Sequence, residues 1–277
     1  AFERLLRALR ARPAHPAIAS DEGTLDGAAL LHAAEAWAAR LGSAGLCRGD
    51  RVAVLAEAHP AAVAVMLGCY RAGLVHVPIN PRYRGEELRH VVTDCGAALL
   101  LCDQALADDR LLTLPPALPR LDLAPGSPLP AVTTPPPEPL GAVDPVADDE
   151  TALLVYTSGT TGRSKGVRLS LPAVVDDVLA LTTLWRWSEA DVLSLALPLF
   201  HVHGLCIGIH GALLHGMTLR LHRRFDPAAI VSDFEHGATV ATVFMGVPTM
   251  YDRLLEHLGA HPEAAATLAR ARLFTAG

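Results

Sequence analysis

Twelve residues, YTSGTTGRSKGV from Tyr156 to Val167, bring together hydroxyls, glycines and a lysine. Lys165 is the only lysine in 277 residues, because 22 of the 23 basic residues are arginine. Three glycines, Gly159, Gly162 and Gly166, free the backbone to turn successive N–H groups inward, as an anion-binding nest requires. Thr157, Ser158, Thr160, Thr161 and Ser164 add short hydroxyl donors for phosphate oxygens. Arginine offers a rigid planar fork, whereas lysine offers a compact charge on a flexible stem. A departing polyphosphate suits the second. The plain alternative is a surface turn with an incidental lysine, and the hydroxyl density argues against it. The stretch is not the Walker pattern: Ser164 precedes Lys165 and Gly166 follows it, so P-loop kinases and ATPases are excluded.

A second group of candidates lies in LALPLFHVHGL (195–205), where His201 and His203 stand two residues apart. On an extended strand end they would face the same way. Phe200, Met245, Gly246, Val247 and Pro248 are candidates for pocket walls, although apolar residues of this kind are more often core. His210 and His215 read as structural. With 13 histidines in the chain, a histidine bonded within the fold is a serious alternative for His201 and His203 as well.

The elements that would carry these residues alternate along the chain. A helical pattern covers the first thirty residues, with a PAHP stop, and continues in LDGAALLHAAEAWAARLGSAG. Strand patterns follow at 51–57, 74–79 and 97–103, separated by helical patterns at 61–73 and 85–96. Residues 104–148 are proline-rich and weakly periodic, which predicts a long surface excursion. Strands are then expected at 151–157, 191–199, 217–222, 241–246 and 271–277, with helices at 171–187, 203–216, 226–237 and 247–259. This rhythm predicts an α/β fold of parallel βαβ units. It suggests two α/β segments, 1–148 and 149–277, the first ending in the proline-rich excursion.

Composition excludes several classes. The chain is 51% hydrophobic and 19% charged, with a net charge of −6. It has no basic tract with interleaved aromatics, so no nucleic-acid partner is expected. No run of 18 apolar residues is present, Arg71 breaking the best candidate, so no membrane partner is expected. Five cysteines without a CxxC pair read as inert thiols of a cytoplasmic protein.

The stretch 156–167 resembles the phosphate loop of the adenylate-forming superfamily, which comprises acyl-CoA synthetases, peptide-synthetase adenylation domains and luciferases. The resemblance runs along the chain. LGSAGLCRGDRVAVLAE is similar to an early helix-to-strand segment of that superfamily, and GLVHVPINPRYRGEELRHVVTDCGAALLLCD to its next βαβ segment. LALPLFHVHGL is similar to a second signature block, and TVFMGVPTMYDRLL (242–255) to the strand and helix after it. Within the superfamily, PLFHVHGL with FMGVPTMY most resembles malonyl-CoA synthetases, then oxalyl-CoA synthetases.

The resemblance implies the layered βαβ subdomains of that superfamily's large N-terminal domain, truncated. It implies ATP, Mg²⁺ and coenzyme A, a small carboxylic acid as partner, and a two-step reaction through an acyl-adenylate. It places Thr157, Ser158, Gly159, Thr160, Thr161, Gly162 and Lys165 around the β- and γ-phosphates, with Lys165 and His201 catalytic. A loop threonine, Thr160, is the candidate for the Mg²⁺ shell. His201, His203, Met245 and Gly246 would line the acyl end, with Arg223, Arg224 and Arg272 as candidate partners for a second carboxylate. The adenine, ribose, hinge and C-terminal lysine motifs of the superfamily have no counterpart before Gly277, so the remainder of the enzyme is expected elsewhere. The fragment alone is expected to be inactive. Medium- or long-chain fatty acid, aryl acid and oxalate ligases are the enzyme alternatives. A non-catalytic nucleotide- or acyl-binding module is the alternative of another class.

Overall fold

The computed structural model describes residues 1–107, 109–123, 145–157, 163–235 and 239–277, with the backbone alone for 109 and 110. Helix α1 (Phe2–Ala11) buries Phe2, Leu5, Leu6 and Leu9, the spacing of one helical face. The chain then turns through a hairpin, β1 (Pro16–Ser20) and β2 (Gly23–Asp26), rather than continuing as the helix expected over the first thirty residues. The sequence signal for this hairpin was the Asp21-Glu22-Gly23 turn, where Gly23 takes a φ of 121°. Asp26 then caps α2 (Gly27–Ser43), its carboxylate accepting the Ala29 N–H at 2.7 Å.

The next elements follow the expected alternation: β3 (Arg51–Leu55), α3 (Pro60–Arg71), β4 (Val75–Ile79), α4 (Gly85–Asp94) and β5 (Leu99–Asp103). Two short 3₁₀ turns and strand β6 (Arg120–Leu123) occupy the described part of the proline-rich excursion. After it come β7 (Thr151–Thr157), β8 (Lys165–Ser170), α5 (Leu171–Leu184) and β9 (Val192–Leu195). A π-helix, His203–His210, runs into α6 (Gly211–His215), where a plain helix was expected. The chain closes with β10 (Thr218–Leu221), α7 (Pro227–Asp233), β11 (Val243–Gly246), α8 (Pro248–Ala260), α9 (Ala264–Leu268) and β12 (Leu273–Ala276).

The described strands form two six-stranded sheets, in the orders β12-β11-β9-β10-β1-β2 and β6-β5-β3-β4-β7-β8. Each is parallel except for its last pair, β1–β2 in the first sheet and β7–β8 in the second. The division of the chain at residue 148 falls between β6 and β7, and each sheet draws strands from both sides of it.

Side chains of a strand alternate between its faces, and burial sorts them into layers. Val52 and Val54 of β3, Leu193 and Leu195 of β9, and Val243 and Met245 of β11 share one core with α1, α2, α3, α5 and the π-helix. The alternate residues face outward. Ala53 and Leu55 pack with α4, and Phe244 packs with α7, α8 and α9. The result is five layers, α/β/α/β/α, with one helical layer shared between the sheets. This is the α/β fold that the strand and helix rhythm predicts.

Candidate active site

Parallel strands end on one edge of their sheet, and ligands of such sheets sit in the crevice outside those carboxyl ends. Here both sheets supply one. A cleft of about 770 Å³ is lined by Ala56, Glu57 and Asn80 after β3 and β4, and by Pro198 to His201 after β9. Arg223 and Arg224 follow β10, while Thr249, Met250 and Arg253 lie at the start of α8 after β11. Its charges are Arg82, Arg84, Arg223, Arg224 and Arg253 against Glu57. In a chain of net charge −6 this concentration of guanidinium marks a site for an anion of several charges.

The wall is braced from behind. The buried pair His59–Asp103 joins the loop after β3 to the end of β5 at 2.9 Å, and Asp103 also accepts the Glu57 N–H at 2.9 Å. Glu57 in turn accepts from Arg224 at 3.0 Å, and Glu22 from Arg223 at 2.5 Å. Arg253 has no carboxylate partner among the described residues. Its guanidinium carbon lies 5.0 Å from the Phe225 ring centroid, a cation–π contact that leaves its N–H donors free for a ligand.

Among the expected site residues, His201 and Phe200 line the cleft, their rings 4.3 Å apart. His203 does not. It begins the π-helix and lies against the end of β12, where a Cβ on Gly277 would come within 3.1 Å of its Cε1. β9 ends at Leu195, so His201 and His203 do not continue a strand, and the same-face geometry expected for them is absent. Burial lowers the pKa of both imidazoles, which leaves both neutral at pH 7. Met245 is fully buried between the sheets, and Gly246 sits among the Phe244 and Tyr251 rings. Neither lines the cleft. Residues three to seven positions further on, Thr249, Met250 and Arg253, do so instead. Arg272 is on the opposite edge: it precedes β12 and binds Asp191, which precedes β9, through Nε at 2.9 Å and Nη2 at 2.8 Å.

The hydroxyl-rich stretch emerges from the same edge of the second sheet as Asn80, because β7 runs parallel to β4. Thr157 ends β7 and pairs with Lys165, which opens β8; both are exposed. Ser158, Gly159, Thr160, Thr161 and Gly162 lie outside the described residues. Gly166 has a packing role in place of the nest role expected for it. It pairs with Tyr156, and a Cβ there would come within 3.1 Å of the Tyr156 ring. Among the described residues no three His, Cys, Asp or Glu side chains gather as an all-protein metal site would need, whereas Mg²⁺ in nucleotide sites is held by one or two protein groups with substrate phosphates and water.

The π-helix sets the cleft wall that bears His201. Gly204 packs so tightly under the turn before it that a Cβ would fall 2.4 Å from the Pro198 carbonyl oxygen. Further along, His210 donates from Nδ1 to the Leu205 carbonyl at 2.8 Å, and its Nε2 pairs with the Tyr70 hydroxyl of α3 at 3.2 Å. Arg253 was the main omission of the sequence reading. Its signal was there: Thr249 and Arg253 are spaced i, i+4 on the first turns of a helix that follows a parallel strand.

Two mostly parallel sheets open their strand ends onto one arginine-lined cleft, the architecture of an α/β protein with its site at the carboxyl ends of its strands. The chain belongs to the AMP-binding enzyme family, whose pattern matches residues 5–277. It is 38% identical over 227 residues to feruloyl-CoA synthase of Amycolatopsis sp, covering 78% of this chain and 42% of that protein. The mitochondrial malonate–CoA ligase of Homo sapiens is 32% identical over 225 residues, covering 77% of this chain and 37% of the ligase. Among solved structures, ATP-bound MatB from Rhodopseudomonas palustris superimposes with a TM-score of 0.83 at 33% identity, covering 100% of this chain and 54% of MatB. The chain thus spans about half the length of the relatives it matches, and those relatives include acid–thiol ligases.

Proposed function

We propose that the full-length protein containing this chain is an ATP-dependent acid–thiol ligase, and that its acid is a short dicarboxylate, malonate. A carboxylate oxygen bonds to the α-phosphorus of ATP as the bond to the β-phosphate oxygen breaks, giving acyl-adenylate and pyrophosphate. The coenzyme A thiol then loses its proton and displaces AMP, forming the thioester. A carboxylate is a poor acyl donor until its oxygen becomes a good leaving group, so stabilising departing pyrophosphate is the main task of the first step. Lys165, with the hydroxyls of Thr157 to Thr161, takes that role in this reading. His201, neutral, donates one N–H to the reacting carboxylate or α-phosphate. Mg²⁺ would come with the nucleotide on its own phosphate oxygens, and Thr160 stays the candidate hydroxyl beside it.

The observation that carries the choice of acid is Arg253 in the cleft with His201, a fixed cation without a carboxylate partner among the described residues. It answers the second carboxylate better than His203, which burial keeps neutral and which stands outside the cleft. The malonate–CoA ligases among the relatives support the same acid. The 38% identity to feruloyl-CoA synthase supports a second reading, an aryl acid in the same cleft. A pyrophosphate-release assay of the full-length protein against malonate, butyrate, octanoate and ferulate separates them. Malonate is expected to give the highest kcat/KM, with butyrate far behind because an ethyl group stands where malonate has its second carboxylate. Faster turnover of ferulate overturns the dicarboxylate reading and leaves the aryl one; faster turnover of octanoate leaves a fatty acid ligase.

A further inference from the structure

Strand β8 carries Lys165 at the edge of its sheet, bonded to β7 on one side and exposed from Lys165 to Arg168. An edge strand held by one neighbour does not by itself fix where its first residue stands. The helix that fixes it is α4. His90 and Asp94, one turn apart on the same face of α4, each grip one strand of the hairpin where the hydroxyl-rich stretch leaves and re-enters the sheet. Asp94 accepts the Tyr156 hydroxyl proton at 2.6 Å, one residue before Thr157. His90 Nε2 lies 2.8 Å from the Ser164 carbonyl oxygen, one residue before Lys165. A carbonyl oxygen only accepts, so Nε2 carries the proton and donates. The two grips support each other: the His90 and Tyr156 rings meet edge to face, with centroids 6.3 Å apart and planes at 85°. The Tyr156 ring also lies across Gly166, the one residue type whose missing Cβ leaves room for it.

We propose that His90, together with the Tyr156–Asp94 pair, positions Lys165 for adenylation, so that α4 is part of the phosphate-handling apparatus while touching no substrate. The inference rests on the reading that Lys165 meets departing pyrophosphate. A charge acting on a transition state is sensitive to displacements of an ångström, and a lost hydrogen bond of this kind is worth a few-fold to tenfold in rate.

The test is ATP–pyrophosphate exchange in the full-length protein at saturating ATP and acid. His90→Leu and Tyr156→Phe are each expected to slow exchange about three- to tenfold, with the KM of the acid unchanged. His90→Gln, whose amide N–H reaches the same carbonyl, is expected to restore most of the rate. In a Lys165→Ala background, His90→Leu and Tyr156→Phe are expected to have no further effect, because the group they position is gone. Tyr156→Phe removes one oxygen and keeps the ring, so it carries the cycle if His90→Leu does not fold. Unchanged rates in these variants, a Gln variant no better than Leu, or losses that multiply with Lys165→Ala would each overturn the positioning role. Normal exchange in Lys165→Ala alone overturns the reading beneath it, and the positioning role with it.

Discussion

In the proposed reaction Lys165 and Arg253 would divide the cationic work by their chemistry, Lys165 meeting pyrophosphate and Arg253 the acid. Lysine is a mobile point charge; arginine is a planar fork that cannot lose its proton. In the full-length protein, Lys165→Ala is expected to slow adenylation about 10²–10³-fold, the loss seen when one preorganised donor leaves a developing oxyanion. Lys165→Arg is not expected to restore the rate fully, because the fork does not fit where a compact charge serves. Initial-rate pyrophosphate release checks both. Arg253→Leu is expected to raise the KM for malonate about 10- to 100-fold, the worth of a charge-assisted hydrogen bond, while the KM for ATP stays put. An equal rise in both constants would move Arg253 from the acid to the nucleotide.

At the scale of the element, the π-helix His203–His210 is where the local rules of helix formation give way. A wide turn of this kind is uncommon and concentrates at functional sites. Here its side-chain supports are His210 on the Leu205 carbonyl and Tyr70 on His210. Gly204 is the point of closest approach, with the Pro198 carbonyl where a methyl would sit. Gly204→Ala is therefore expected to cost about 1–3 kcal/mol of stability, as overpacking does, and to displace the 198–201 turn that carries His201 into the cleft. Thermal unfolding of the variant beside its exchange rate measures the two effects. A variant as stable and active as the parent would show that the turn relaxes freely.

At the scale of the whole molecule, the helical layer between the sheets buries two histidines that meet water only on unfolding. Burial lowers His76 to about 3 and His210 to about 4, against 6.5 for a free imidazole. Both are neutral in the folded chain at pH 5, while the unfolded chain binds a proton at each. Their contribution to stability is therefore complete above pH 6.5 and declines as pH falls toward 4, by about 1.4 kcal/mol per pH unit for each histidine. Urea midpoints measured between pH 7.5 and pH 4.5 are expected to fall steadily below pH 6.5. A flat profile across that window would mean that the histidines take up protons without unfolding.

Much of this was legible in the sequence because it is local. Short apolar runs bounded by turn residues specified β3, β4, β5, β7, β9, β10 and β11, and helical periodicity specified α2 to α5, since each pattern needs only its own segment. The proposal for residues 157–165 and for His201 likewise rests on residue type and neighbours alone. The tertiary structure alone decided which strands lie side by side. Ile18 pairs with Leu219 across most of the chain, and β7 returns to lie beside β4, pairings that no short window encodes. Those pairings put Arg253 into the cleft, sent Arg272 to the opposite edge, turned His203 toward Gly277 and gave Met245 to the core. Side-chain chemistry is written residue by residue, but the direction a side chain faces is fixed by the packing of segments distant in the chain.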